Sequence, residues 1–247
     1  KQAEELGDKL AMGNSLKSIG NVHHERGDYN KSLDCYERSL SISEELGNKL
    51  GMGNCLNNIG IMHKNGGGLD YYDRSLAIRE ELGDKQGIGN SLFNIGYLYH
   101  SQGDYGKALD YYERSLAIFE EIGDKNSMGK NLMSIGYYYA QKGELEKALE
   151  YYNRSLHIRE ELGDKRLMAH SLYYIGLTYY TLDEYDKALV YYNRSLKIYE
   201  ELGDKHAIGF NLQIIGESYW NKGNYDKVLE YYALSLQIRE ELGEKPE

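Results

Sequence analysis

Proline is all but missing: of 247 residues only Pro246, at the extreme end, is one. No helix is therefore interrupted from within by a residue that lacks an amide donor and clashes with the preceding turn. Cysteine is scarce too. Cys35 and Cys55 are too few for a disulfide framework and lack the Cys/His spacing of a zinc site, so they read as ordinary thiols of a reducing compartment and the chain as cytoplasmic. Basic residues are the minority, 29 against 39 acidic ones, for a net charge of −10. That argues against a nucleic-acid partner, which needs a basic stripe. There is no apolar run of about 18 residues, and hence no membrane span, and no signal peptide is visible. Neither a nucleophile–base arrangement nor a His-x-x-x-His pair stands out, so no enzyme activity, metal or cofactor is expected.

What the chain does have is rhythm. Ser-Leu-x-x-Ile-Gly and its variants recur with glycines at Gly20, Gly60, Gly96, Gly136, Gly176 and Gly216, at steps of 40, 36, 40, 40 and 40 residues. Glu-Glu-Leu-Gly follows in phase at Glu4, Glu44, Glu80, Glu160, Glu200 and Glu240, with an isoleucine variant at Glu120. A period of this size belongs to a solenoid, in which each unit packs only on its neighbours. Tyrosine is overused, at 26 residues, and much of it lies in Tyr-Tyr pairs beginning at Tyr71, Tyr111, Tyr151, Tyr191 and Tyr231.

The unit beginning at Asp84 shows what one repeat encodes. Ile88, Leu92, Ile95 and Leu98 or Tyr99 form a helical stripe, and Asp84 precedes it as an N-cap. Gly103 breaks that helix and Asp104 caps the next, which carries Ala108, Leu109, Tyr112, Leu116 and Ile118 and ends at Gly123. Each repeat is thus a pair of helices, here helix A and helix B, of roughly 16–18 residues each. Glycine also recurs inside helix A, at Gly13, Gly53, Gly89, Gly129 and Gly209, with Ala169 the exception. A glycine there costs up to ~1 kcal/mol, so a close approach by a neighbouring helix is the expected reason.

Ile95, Gly96, Tyr99, Gly103, Ala108, Tyr112 and Ser115 resemble the tetratricopeptide repeat, and the other units follow with few lapses. His23 and His63 replace the helix A tyrosine, Asp183 the turn glycine and Val228 the alanine. The 40-residue spacing without a closing proline is similar to the variety found in spindle-orientation adaptors that bind G-protein α subunits, and in large prokaryotic arrays. The resemblance implies an all-α fold, a right-handed superhelix of antiparallel helix pairs, with helix A lining a concave groove. We expect one array over 1–247: residues 1–7 as the tail of a preceding helix B, then units near 8–47, 48–83, 84–123, 124–163, 164–203 and 204–243. The second unit is short. Between His63 and Leu69 it has five residues where its sisters have nine, so either its helix B lacks a first turn or part of a loop is missing, and residues 66–68 are expected to be the least ordered.

Carried over from the family, groove positions lie six, three and two residues before the Ile-Gly glycine and one, four and five after it. The early units offer Asn14, Lys17, Asn21, His24, Asn54, Asn57, Asn58, Lys64, Asn90, Asn94, Tyr97 and His100. Asparagine both donates and accepts, which suits the backbone of an extended peptide. The later units offer Met133, Tyr137, Tyr173, Tyr174, Leu177, Tyr180, Phe210, Gln213 and Trp220, and aromatics supply apolar contact at small entropy cost. Lys17, Asn21 and Asn58 match by position three of the residues with which chaperone-binding members of the family hold a peptide's terminal carboxylates, but Asn90 and Asn94 stand where two cations belong. Arg38, Arg74, Arg114, Arg154 and Arg194 recur at one helix B position and are read as partners of acidic neighbours.

The expected function is that of a noncatalytic scaffold for a peptide or protein segment. Two alternatives stand beside it. One is self-assembly end to end, because no polar capping helix closes the array. The other is the sensory arm of a larger signalling protein of which this chain is a piece.

Overall fold

The computed structural model describes residues 2–63 and 67–243, with side chains from Gly7 onward. The described residues form helices and the turns between them: α1 (Gln2–Glu25), α2 (Tyr29–Glu45), α3 (Lys49–Met62), α4 (Leu69–Leu82), α5 (Lys85–Ser101), α6 (Tyr105–Ile122), α7 (Lys125–Gln141), α8 (Leu145–Leu162), α9 (Lys165–Thr181), α10 (Tyr185–Leu202), α11 (Lys205–Asn221) and α12 (Tyr225–Glu241). They divide into two compact units, Lys1–Asp124 and Lys125–Glu247. Each unit stacks three A/B hairpins.

Helix ends follow the punctuation in the sequence. The Asp84 carboxylate accepts from the Gly87 amide at 3.0 Å, and Asp104 accepts from Lys107 at 3.2 Å. Helices α4, α6, α8 and α10 end on Gly83, Gly123, Gly163 and Gly203, all with φ between 65° and 71°. That left-handed conformation costs a residue with a Cβ atom, and glycine takes it freely. Asp183 is the lone non-glycine among the described residues with positive φ, at 59°.

Two contacts repeat in every hairpin at the two helix A positions where glycine recurs, although a Cβ at Gly53 or Gly209 would meet only ordinary contacts at 3.5 and 3.4 Å. The first is a hydroxyl bond. Ser39, Ser75, Ser115, Ser155 and Ser235 on helix B donate to the carbonyl oxygens of Gly13, Gly53, Gly89, Gly129 and Gly209 at 2.8–3.0 Å, and Ser195 does the same to Ala169 at 2.9 Å. A Cβ at Gly89 would come within 2.6 Å of the Phe119 ring, and one at Gly129 within 2.8 Å of the Arg159 guanidinium. The second contact sets a tyrosine ring on the Ile-Gly glycine: a Cβ at Gly60 or Gly136 would lie 2.6 Å from Tyr72 or Tyr152. Near the turn, stacked aromatic pairs close the last four hairpins, at 5.6 Å for Tyr99–Tyr111, 5.4 Å for Tyr139–Tyr151, 5.5 Å for Tyr179–Tyr191 and 5.5 Å for Tyr219–Tyr231. His63 takes the tyrosine's place against Tyr71 at 5.1 Å. Between hairpins the core is aliphatic and closed: Ile59 and Ile95 in the first unit, and Ile135, Ile175 and Ile215 in the second, have no exposed surface.

Two local expectations change. Residues 2–7 do not form the tail of a separate helix. Gly7 lacks the positive φ of its counterparts at Gly47 and Gly83, and α1 runs through it unbroken for 24 residues. In the short second unit both helices contract, α3 and α4 to 14 residues each against 17 in α5 and 18 in α6. Residues 64–66, and with them Lys64, lie outside the described residues. Gly68 is buried at the start of α4, where a Cβ would approach the Gly60 carbonyl oxygen to 2.7 Å.

Cys35 and Cys55 are buried free thiols, and burial pushes the Cys55 thiol above its ordinary pKa. The recurring arginines meet acidic neighbours as expected, Arg38 with Asp34 at 3.3 Å, Arg114 with Asp110 at 3.6 Å and Arg194 with Glu160 at 3.3 Å. Exposed pairs of this kind contribute little, roughly 0.2–1 kcal/mol each. No described helix is long and apolar enough to cross a membrane.

Candidate functional site

In the first unit, asparagines on successive A helices touch. Asn58 Nδ2 donates to Asn21 Oδ1 at 3.4 Å, and Asn94 Nδ2 donates to Asn57 Oδ1 at 2.8 Å. Asn21 also accepts from the Tyr36 hydroxyl at 2.8 Å. Asn14 and Asn90 are exposed, Lys17 and His24 are half-buried, and Tyr97 stands 62% exposed. Asn54 behaves differently. Its carbonyl accepts from Arg79 Nη2 at 2.6 Å, so that face of the amide serves the hairpin. His100 packs edge-on against Tyr105 at 5.3 Å, and partial burial lowers its pKa.

Two hollows open between these A helices, each floored by a helix B tyrosine. One of about 200 Å³ is lined by Asn21, His24, Tyr36, Asn58 and Ile61. The other, of about 400 Å³, is lined by Ile61, His63, Tyr72, Phe93, Asn94 and Tyr97. In the smaller hollow, His24 and Glu25 of α1 and Met62 of α3 complete the wall. Burial raises the Tyr72 hydroxyl to a pKa of about 12.

The second unit is aromatic at the same register. Tyr174 lies 5.5 Å from Tyr152 and 6.4 Å, edge-on, from Tyr137. Tyr173 is partly structural, packed between Tyr192 at 5.9 Å and Phe210 at 5.6 Å. Tyr180 accepts from Asn221 at 2.7 Å and meets Tyr185 edge-on. Gln213 accepts from Arg239 at 2.6 Å and donates to Glu217 at 3.0 Å. Trp220 is 58% exposed and stands edge-on to Tyr225. A hollow of about 170 Å³ is lined by Tyr137, Gln141, Tyr152, Tyr174, Leu177 and Thr181. No group of acidic, His and Cys side chains suited to a metal ion occurs among the described residues.

The structure thus brings together Asn21 with Asn58, Asn57 with Asn94, and Tyr137 with Tyr174. It ties Asn54 and Gln213 to arginines, and sets His100 and Trp220 against the second helix of their own hairpins. Sequence reading missed the floor tyrosines Tyr36, Tyr72 and Tyr152 as site residues, although their periodicity was visible. It also missed the buried Arg79 and Arg159, which the 80-residue spacing Arg79–Arg159–Arg239 marks.

Tetratricopeptide repeat profiles match residues 11–67, 62–121, 128–201 and 212–246. Among curated proteins none matches the chain in sequence. Solved structures share the fold at low identity. The tetratricopeptide repeat sensor-bearing signal transduction ATPase with numerous domains from Pyrococcus horikoshii superposes with a TM-score of 0.81 at 18% identity, over 92% of this chain and 36% of that one. BtubC from P. vanneervenii gives 0.68 at 18% identity, over 98% and 94%. The Rap conjugation gene regulator of plasmid pLS20, in complex with the Phr* peptide, gives 0.66 at 16% identity, over 96% and 76%.

Proposed function

The chain belongs to the tetratricopeptide repeat family, and we propose that it is a noncatalytic scaffold that holds an extended peptide segment against its A helices. The observation that carries this reading is the amide row of the first unit. In the Asn57–Asn94 pair one oxygen and one amide hydrogen are used, which leaves the Asn57 nitrogen and the Asn94 oxygen for a guest backbone. The aromatic hollow in the second unit supports apolar side-chain contacts, and the peptide complex of the Rap regulator lends the same reading weight through shared fold. Selection from a random peptide library on the purified chain, followed by calorimetry, tests it. Asn58→Ala and Tyr174→Ala are each expected to weaken the selected peptide about tenfold, in line with loss of a buried contact. Unchanged affinity in both variants overturns the reading.

A second reading, end-to-end association of copies, is supported by α12. Leu229 and Leu236 are 71% and 47% exposed there, whereas Leu189 and Leu196 at the same positions of α10 are 7% and 8% exposed. Helix α1 likewise exposes Ile19 at 48%, where Ile59 has no exposure. Light scattering over a concentration series tests it, and a constant monomer mass refutes it.

A further inference from the structure

Six helix B tyrosines share one position, on the Ile-Gly glycine, and two of them carry a buried hydroxyl with no hydrogen-bond partner in the protein, Tyr152 and Tyr192. Tyr152 matters more, because it also forms the floor of a hollow. Its side chain is 1% exposed, yet it faces the space of about 170 Å³ bounded by Tyr137, Gln141, Tyr174, Leu177 and Thr181. A buried hydroxyl left unpaired costs about 1–3 kcal/mol, so its persistence calls for an explanation.

The first unit shows what such a hydroxyl takes as a partner. Tyr36, at the equivalent position, donates to the side-chain amide oxygen of Asn21 at 2.8 Å. Asn21 follows its Ile-Gly glycine directly. In the second unit that position holds Tyr137, which has no amide to offer.

We infer that the Tyr152 hydroxyl is a binding subsite that donates a hydrogen bond to an amide carbonyl of a guest peptide seated in this hollow. The guest carbonyl occupies the role that Asn21 Oδ1 fills for Tyr36. Burial holds the phenol protonated, as a donor. No cation lines the hollow, so a carboxylate entering it would be desolvated without a counter-charge, and a neutral amide is the ligand that fits. The Tyr174 ring, 5.5 Å from Tyr152 and only part-buried, is the wall that the guest carbonyl displaces to reach the hydroxyl.

This inference rests on the peptide reading above and is tested with the tightest peptide selected on the purified chain, together with a series in which each peptide amide is replaced in turn by an ester, a weaker acceptor. Tyr152→Phe is expected to weaken the peptide about five- to tenfold, the share of one neutral hydrogen bond. One ester that costs affinity on the wild type is expected to cost nothing on Tyr152→Phe. The thermal midpoint of the free variant is expected to be equal or higher, because an unpaired polar atom is gone, which separates this role from a structural one. If the peptide is lost on Tyr174→Ala but holds its affinity on Tyr152→Phe, with the ester series unchanged, the subsite is refuted and the peptide reading stands. If neither groove variant affects binding, or no peptide is selected, both fail.

Discussion

Ser155 Oγ donates to the carbonyl oxygen of Gly129 over 3.0 Å, from the middle of α8 to the second turn of α7. The serine has no exposed surface. The carbonyl has a second lone pair beyond the one its own helix uses. The bond therefore joins A to B, and it recurs in every hairpin, with Ala169 supplying the acceptor in the fifth.

Ser155→Ala removes the donor and leaves that lone pair buried. The expected loss is about 1–2 kcal/mol of unfolding free energy, read from urea denaturation as a lower midpoint at unchanged slope. A midpoint equal to the wild type would show that the bond adds nothing to the packing.

Glycine-to-alanine changes should have opposite signs at two places. At Gly136 the new Cβ would sit 2.6 Å from the Tyr152 ring, with Tyr152 itself closed in. Overpacking of that kind costs about 1–3 kcal/mol and outweighs the gain in helix propensity. At Gly106, inside α6 and with nothing within 4 Å, the propensity gain of up to about 1 kcal/mol stands alone. Calorimetry should therefore show Gly136→Ala melting lower and Gly106→Ala melting higher than the parent. Two shifts of the same sign would refute the steric account.

The contrast between those glycines also shows what could be read from the chain itself. Helix boundaries, caps and turn glycines were legible because each depends on one or two adjacent residues, as at Asp84 and Gly123. The recurrence of Ile95 and its equivalents made the core legible as well. The fate of Asn54 was not, because it is decided by Arg79, 25 residues away, whose guanidinium claims the amide oxygen. Nor was the contraction of both α3 and α4. A four-residue shortening can remove a turn from one helix or from both, and only packing decides which.

Asp183 occupies the turn position that glycine fills in the sister hairpins, at φ 59°. Aspartate tolerates this conformation better than most residues, yet its Cβ still costs roughly 1 kcal/mol there. Its carboxylate recovers part of that by accepting from the Tyr185 hydroxyl at 2.5 Å. Asp183→Gly should raise the thermal midpoint slightly, and Asp183→Ala should lower it, since alanine keeps the Cβ and loses the acceptor. A drop in Asp183→Gly that is still smaller than that in Asp183→Ala would mean that the Tyr185 bond outweighs the backbone cost.

Asp204 opens α11, where its carboxylate accepts from the Ala207 amide at 3.2 Å and from Arg166 at 2.5 Å. The Ala207 amide above all holds its pKa below the ordinary 3.8; burial opposes it, and the Arg166 guanidinium adds to the lowering. A carboxyl whose folded pKa is depressed adds stability that is fully present above its unfolded value and fades as pH falls through the folded one. Asn48 and Asn224 cap α3 and α12 with amide oxygens at 3.0 and 3.2 Å, so asparagine at 204 can keep the cap while removing the charge. The stability gap between wild type and Asp204→Asn is accordingly expected to be constant above pH 3.8 and to shrink below it. Raising salt should narrow it further, because the Arg166 side chain is 63% exposed and its charge is screened. A gap that stays constant down to about pH 2 would show that the depressed carboxyl contributes no stability through its charge.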